Sequence, residues 1–130
     1  MSDTAKSILI IDDEPPLLRM MSLYLGRKGY HVTVAGSALK ARAELAAAPG
    51  GYNVVVLDAT VPGTTLAGLG GDILSADPNV CVLVASGYPV DVSELEAAAP
   101  GRVAFLHKPF APEMLAAAVG RLLGTEKEGI

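Results

Sequence analysis

Apolar residues gather along the chain in five short runs: Ser7–Ile11, Tyr30–Ala35, Val54–Leu57, Val80–Ala85 and Val103–Leu106. These runs are rich in Val, Ile and Leu and show little polar alternation, the pattern of strands covered on both faces. Between and after them lie stretches with helical spacing: Pro15–Lys28, Ser37–Ala48, a weak one around Gly68–Ala76, a short one near Val90–Ala98, and Pro112–Leu123. Pro15 and Pro16 suit a first helical turn, where a missing N–H is no loss. Gly29 is placed to close that helix and Ser37 to cap the next. Five strands, each followed by a helix, predict a parallel sheet with helices on both sides, a doubly wound α/β fold. The third helix is the weakest expectation. Gly68, Gly70 and Gly71 fall close together, each costing up to ~1 kcal/mol relative to Ala in a helix interior. That helix is expected to start late, near Gly71 or Asp72, or to be distorted.

Composition narrows the class. A chain of 130 residues, 51% hydrophobic and 18% charged, fits one compact domain. We expect that domain to fill residues 1–130, with its core over 7–123 and a short charged tail at 124–130. No output domain is expected beyond Leu123. The apolar runs are far shorter than the roughly 20 residues of a membrane span. The polar start, Met1–Lys6, has no secretory pattern. A lone Cys81 excludes an internal disulfide and fits a reducing cytoplasm. Net charge is −4 and the ten Lys and Arg are scattered, which argues against direct nucleic-acid binding.

Ligands of an open α/β sheet bind at the carboxyl ends of its strands. The first run ends in Asp12-Asp13-Glu14, the third in Asp58, the fourth in Ser86-Gly87 and the fifth in His107-Lys108-Pro109. Three acids, a hydroxyl and an ammonium thus converge on one rim. Crowded carboxylates drive one another's pKa upward, and a hard divalent cation such as Mg²⁺ resolves the conflict. A bound cation favours an incoming phosphoryl group. Lys108 adds positive charge, Ser86 offers a hydroxyl donor, and Asp58 can attack as a nucleophile with no general base. The transfer would then rest on alignment and charge neutralisation.

Asp12-Asp13-Glu14-Pro15, Asp58 with Val61-Pro62-Gly63, Ser86-Gly87-Tyr88 and Lys108-Pro109-Phe110 together resemble the receiver domain of two-component response regulators. The likeness runs from about Ser7 to Leu123. The separations of 28 residues from Asp58 to Ser86 and 22 from Ser86 to Lys108 agree with it. The resemblance implies a flavodoxin-like sheet of order 2-1-3-4-5. It implies that Asp58 accepts a phosphoryl group from a histidine kinase or histidine phosphotransfer protein. Asp13 and Asp58 would ligate Mg²⁺ through side chains, Thr60 through its backbone carbonyl, and Asp12 through water. Ser86 and Phe105 match the paired switch positions, where the hydroxyl moves toward the phosphoryl group and the aromatic ring turns inward. The Lys108–Pro109 bond is implied to be cis. The protein would be a cytoplasmic phosphoacceptor switch, monomeric or weakly dimeric, and no enzyme beyond self-phosphorylation and self-dephosphorylation. It would act alone or as one piece of a longer chain; Ser86-Gly87-Tyr88-Pro89 and Phe105–Phe110 look most like receivers of hybrid sensor histidine kinases.

Two rival readings are an aspartyl-phosphate phosphatase and a degenerate receiver that works without phosphate. The first needs an acid two residues past the nucleophile, where Thr60 stands; the second conflicts with the full set of site residues. The glycine usual eight residues after the acceptor is replaced by Leu66, with Gly68 nearby, so the loop at 60–71 is expected to take its own path. Tyr88, bulky and two residues past Ser86, is expected to shield an acyl phosphate from water and slow its hydrolysis. Cys81 is read as a small core residue in the middle of its strand, His31 as exposed, and His107 as outside the chemistry. Leu17, Met20, Met21 and Leu25 read as core or docking surface. Gly68–Gly71 lacks the context of a nucleotide-binding loop.

Overall fold

A computed structural model describes residues 5–124. Ten elements alternate strictly: β1 (Ser7–Ile11), α1 (Pro15–Arg27), β2 (His31–Ala35), α2 (Ala38–Ala47), β3 (Val54–Asp58), α3 (Leu66–Ala76), β4 (Cys81–Ser86), α4 (Ser93–Ala98), β5 (Val103–His107) and α5 (Pro112–Leu123). The five strands form one parallel sheet in the order β2-β1-β3-β4-β5. The doubly wound architecture and strand order expected above are both present. Two boundaries move outward usefully: Asp58 and Ser86 are the last residues of β3 and β4, not the first residues after them.

Successive side chains of a strand point to opposite faces, so every central strand feeds two cores. Leu9, Ile11, Val55, Leu57, Val82 and Val84 pack with Ala38 and Ala41 of α2, Leu69 and Ile73 of α3, and Leu95 of α4. Ile8, Ile10, Val54, Val56 and Leu83 pack with Met21 and Leu25 of α1 and Leu115 and Val119 of α5. That is why the strands carry no polar alternation. Cys81 belongs to the second core, but as the first residue of β4 rather than in its middle as expected, and its thiol approaches the Leu122 carbonyl at 3.7 Å. Burial raises the Cys81 pKa, only partly opposed by the charge of Arg102.

Local chemistry sets most helix ends. The Ser37 hydroxyl accepts from the Lys40 N–H at 3.2 Å and caps α2. Gly29, at φ +99°, follows α1 in the left-handed conformation that favours glycine. The expectation for α3 is corrected: the helix runs unbroken from Leu66, five residues before Gly71. Thr65 accepts from the Gly68 N–H at 2.9 Å and caps it. Gly70 lies so close to α4 that a Cβ there would sit 3.2 Å from Leu95 Cδ1. Helix propensity alone misjudged this segment because a cap and a close helix contact outweigh it. The fourth helix is also shorter than its apolar pattern, beginning at Ser93 after a turn in which Asp91 accepts from the Ser93 N–H.

Arg102, just before β5, reaches back across the sheet. Its guanidinium donates to the carbonyls of Val80 (2.9 Å), Leu74 (3.1 Å) and Asp77. It thereby ties the end of α3 to the start of β4.

Candidate functional site

β1 and β3 are paired neighbours, so their carboxyl ends deliver acids side by side. Carboxylate oxygens of Asp12, Asp13 and Asp58 all lie within 4.8 Å of one another. Asp12 and Asp58 are buried and Asp13 is exposed. Both oxygens of Asp12 are engaged: Oδ1 accepts from the Glu14 N–H at 3.0 Å and Oδ2 from Lys108 Nζ at 2.8 Å. Lys108 Nζ also stands 3.5 Å from Asp58 Oδ1. That same oxygen accepts from the Thr60 N–H and the Thr60 hydroxyl, each at 3.2 Å.

The electrostatics follow from this crowding. Burial raises the Asp12 pKa above its ordinary value, and the Asp58 charge adds to it; the bonds from Lys108 and the Glu14 N–H oppose the rise. For Lys108, burial works against the charged form. The hydrogen bond to Asp12, with the charges of Asp12, Asp58 and Glu14, outweighs it and raises the Lys108 pKa. Lys108 is therefore an ammonium held among acids. The donor set suits a hard cation: three carboxylates converge, and one of them, Asp13, remains open to solvent.

Strand β4 carries Ser86 to the same rim, where its backbone carbonyl accepts from the Lys108 N–H at 2.7 Å. The Ser86 hydroxyl, however, is turned into its own loop. It donates to the Tyr88 carbonyl at 2.7 Å and accepts from the Tyr88 N–H at 3.2 Å. Phe105 lies farther along β5, 37% exposed, its ring edge-on to His107 at 6.4 Å. The Lys108–Pro109 bond is cis. Thus Asp12, Asp13, Asp58, Thr60 and Lys108 come together directly, whereas Ser86 and Phe105 point elsewhere. The Thr60 side chain and the Glu14 N–H were not foreseen as parts of the site. An acid followed two residues on by a backbone donor is the spacing of an Asx turn, a signal that both share.

Residues 8–120 match the family model of the response regulator receiver domain. The chain belongs to this family. The receiver is 30% identical to the DNA-binding transcriptional regulator NtrC of Rhizobium meliloti (strain 1021), over 95% of this chain and 25% of that protein. It is 34% identical to the nitrogen assimilation regulatory protein NtrX of Azorhizobium caulinodans, over 93% of this chain and 27% of that one. The receiver thus spans about a quarter of the length of these relatives. Among solved structures, the chemotaxis protein CheY4 of Vibrio cholerae superposes with a TM-score of 0.78 at 25% identity, covering 92% of this chain and 99% of that one. A CheY-like receiver domain protein from Methanospirillum hungatei JF-1 gives the same score and identity over 97% and 100%. Receiver domains are the phosphoacceptor switches of two-component systems. Among the described residues, no helix is long and apolar enough to cross a membrane.

Proposed function

We propose that this receiver takes a phosphoryl group onto Asp58 from a phosphohistidine of a histidine kinase or phosphotransfer protein, and that the acyl phosphate switches its surface toward a partner. The observation that carries the reading is the placing of Asp58: a buried carboxylate within 4.8 Å of two other acids and 3.5 Å from an ammonium. Asp13 and Asp58 with the Thr60 carbonyl would hold Mg²⁺, and the two occupied oxygens of Asp12 support its acting through water. When bound, the ion supplies positive charge that offsets the carboxylates and the incoming phosphoryl oxygens.

In the transfer, an Asp58 oxygen forms a bond to phosphorus as the P–N bond of the donor breaks. The electron pair returns to the ring nitrogen, and the imidazole leaves neutral because its other nitrogen carries a proton. Thr60 orients the carboxylate through two hydrogen bonds to Oδ1, and Lys108 neutralises the phosphoryl group that arrives. Ser86 would then exchange its bond to the Tyr88 carbonyl for one to the phosphoryl group. Phe105, outward here, would turn in toward the space released, so this conformation corresponds to the unphosphorylated state.

The chain reads as one receiver over residues 1–130, whose tail from 125 lies outside the described residues. The likeness to NtrC, a DNA-binding transcriptional regulator, and to NtrX, a nitrogen assimilation regulatory protein, supports an output that regulates genes, ahead of a hybrid sensor kinase. Thr60, where a phosphatase would need its acid, argues against turnover. Incubation with acetyl phosphate and Mg²⁺ should give a single-phosphate adduct by mass spectrometry, absent in Asp58→Asn. Continuous phosphate release would instead favour the phosphatase.

A further inference from the structure

A cavity of about 300 Å³ lies at the opposite end of the sheet from Asp58, where α2 and α3 end and β3 and β4 begin. Its walls are apolar: Leu45 of α2, Leu69 and Ile73 of α3, and Val80 just ahead of β4. That volume is at the small end of the range for ligand sites and has room for a molecule with one ring.

The polar side chains at the cavity are Arg42, Tyr52, Asp72 and Asp77, and three of them are engaged. Arg42 Nη1 pairs with Asp72 Oδ2 at 3.0 Å, tying α2 to α3. Asp77 Oδ1 accepts from the Asn79 N–H at 2.9 Å. Tyr52 is the exception. It is 9% exposed, yet its hydroxyl has no hydrogen-bond partner among the described residues. No buried side-chain oxygen among those residues lacks a partner, so this hydroxyl reaches open space, and the space that Tyr52 lines is the cavity. The packing makes no use of that oxygen: phenylalanine would fill the same place in the core. A charged ligand would lose its water against apolar walls and find Arg42 and Asp72 already paired with each other. A neutral one loses little and meets the Tyr52 hydroxyl with one hydrogen bond.

We propose that this cavity is a binding site for a small neutral molecule with one apolar ring and one hydrogen-bonding group, which Tyr52 holds by its polar atom. The site does not involve Asp58 and stands apart from the phosphoacceptor reading.

Probes that share one ring test it, followed by amide NMR on the whole isotope-labelled chain. Benzyl alcohol should shift the amides of Gly51 and Ile73 saturably, with a Kd on the order of millimolar. Benzoate and benzylammonium, the same ring with a charge, should bind at least about threefold more weakly. Tyr52→Phe should weaken benzyl alcohol about three- to tenfold, the worth of one hydrogen bond, and leave toluene unchanged. Ala76 lines the cavity from an exposed helical position, so Ala76→Phe fills the space without disturbing the core and should abolish the shifts. No saturable shift with benzyl alcohol, an unchanged affinity in Tyr52→Phe, or equal affinity for the charged probes overturns the site. Shifts of the same amides on dilution of the protein alone would mean that a second copy covers the cavity, and would overturn it too.

Discussion

Asp12 and Asp13 are neighbours in sequence with opposite surroundings, and Asp12, the buried one, bears the cost of the cluster. Its pKa is raised above the ordinary 3.8 by burial and by the Asp58 charge. A carboxyl whose pKa is higher folded than unfolded binds its proton preferentially in the fold. Its favourable contribution is therefore complete below 3.8 and is lost as the pH rises through the raised value. Asp12→Asn removes that dependence. In EDTA, urea denaturation should show the variant gaining on wild type between pH 4 and the raised value, then holding a constant lead to about pH 7. A difference that does not vary with pH would sink this account of the site. If Asp58 carries the phosphoryl group as proposed, Tyr88→Ala should release it severalfold faster than wild type in a phosphate-release assay, since Tyr88 and Asp58 line the same cleft. The acids and Lys108 were legible in the sequence because strand ends of a doubly wound sheet must meet on one rim. The direction of the Ser86 hydroxyl was not, because a turn bond to Tyr88 fixes it and spacing does not encode rotamers.

Helix α3 shows how the same residue type can carry different meanings a position apart. Gly70 faces Leu95 and Leu57, whereas a Cβ at Gly71 would meet nothing within 4 Å. Gly71→Ala should therefore stabilise the domain by up to ~1 kcal/mol. Gly70→Ala should gain less or lose stability, because Leu95 must give way. Thermal or urea denaturation of the pair separates the effects; equal shifts would mean that helix propensity alone governs α3. The other four helices and all five strands were legible to within a few residues, since apolar runs of strand length alternate with stretches of helical spacing. α3 was misplaced at its start because its glycines were weighed by local propensity. Their roles, room for the Thr65 cap at Gly68 and room for α4 at Gly70, belong to packing partners that a window of sequence does not contain.

Across the whole molecule, the sheet order sorts the rim by when each charge can be assembled. β3 pairs with β1, so Asp12, Asp13 and Asp58 can meet once the first 58 residues are in register. Their protein counter-ion is 96 residues from Asp12 along the chain, on the far side of the last strand. Before β5 is in place, the three acids at the ends of β1 and β3 would lack the Lys108 ammonium. β5 itself docks on its neighbour β4, but the Lys108–Asp12 bond it brings joins residues 96 positions apart, the slow kind of contact in folding. On the proposed function, the ammonium that would meet the phosphoryl group would first serve as the clasp of the fold, and an ion from solution would stand in while the clasp is open. Refolding followed by stopped-flow tyrosine fluorescence should be faster in millimolar Mg²⁺ than in EDTA. The acceleration should be larger in Lys108→Met, where the clasp never closes.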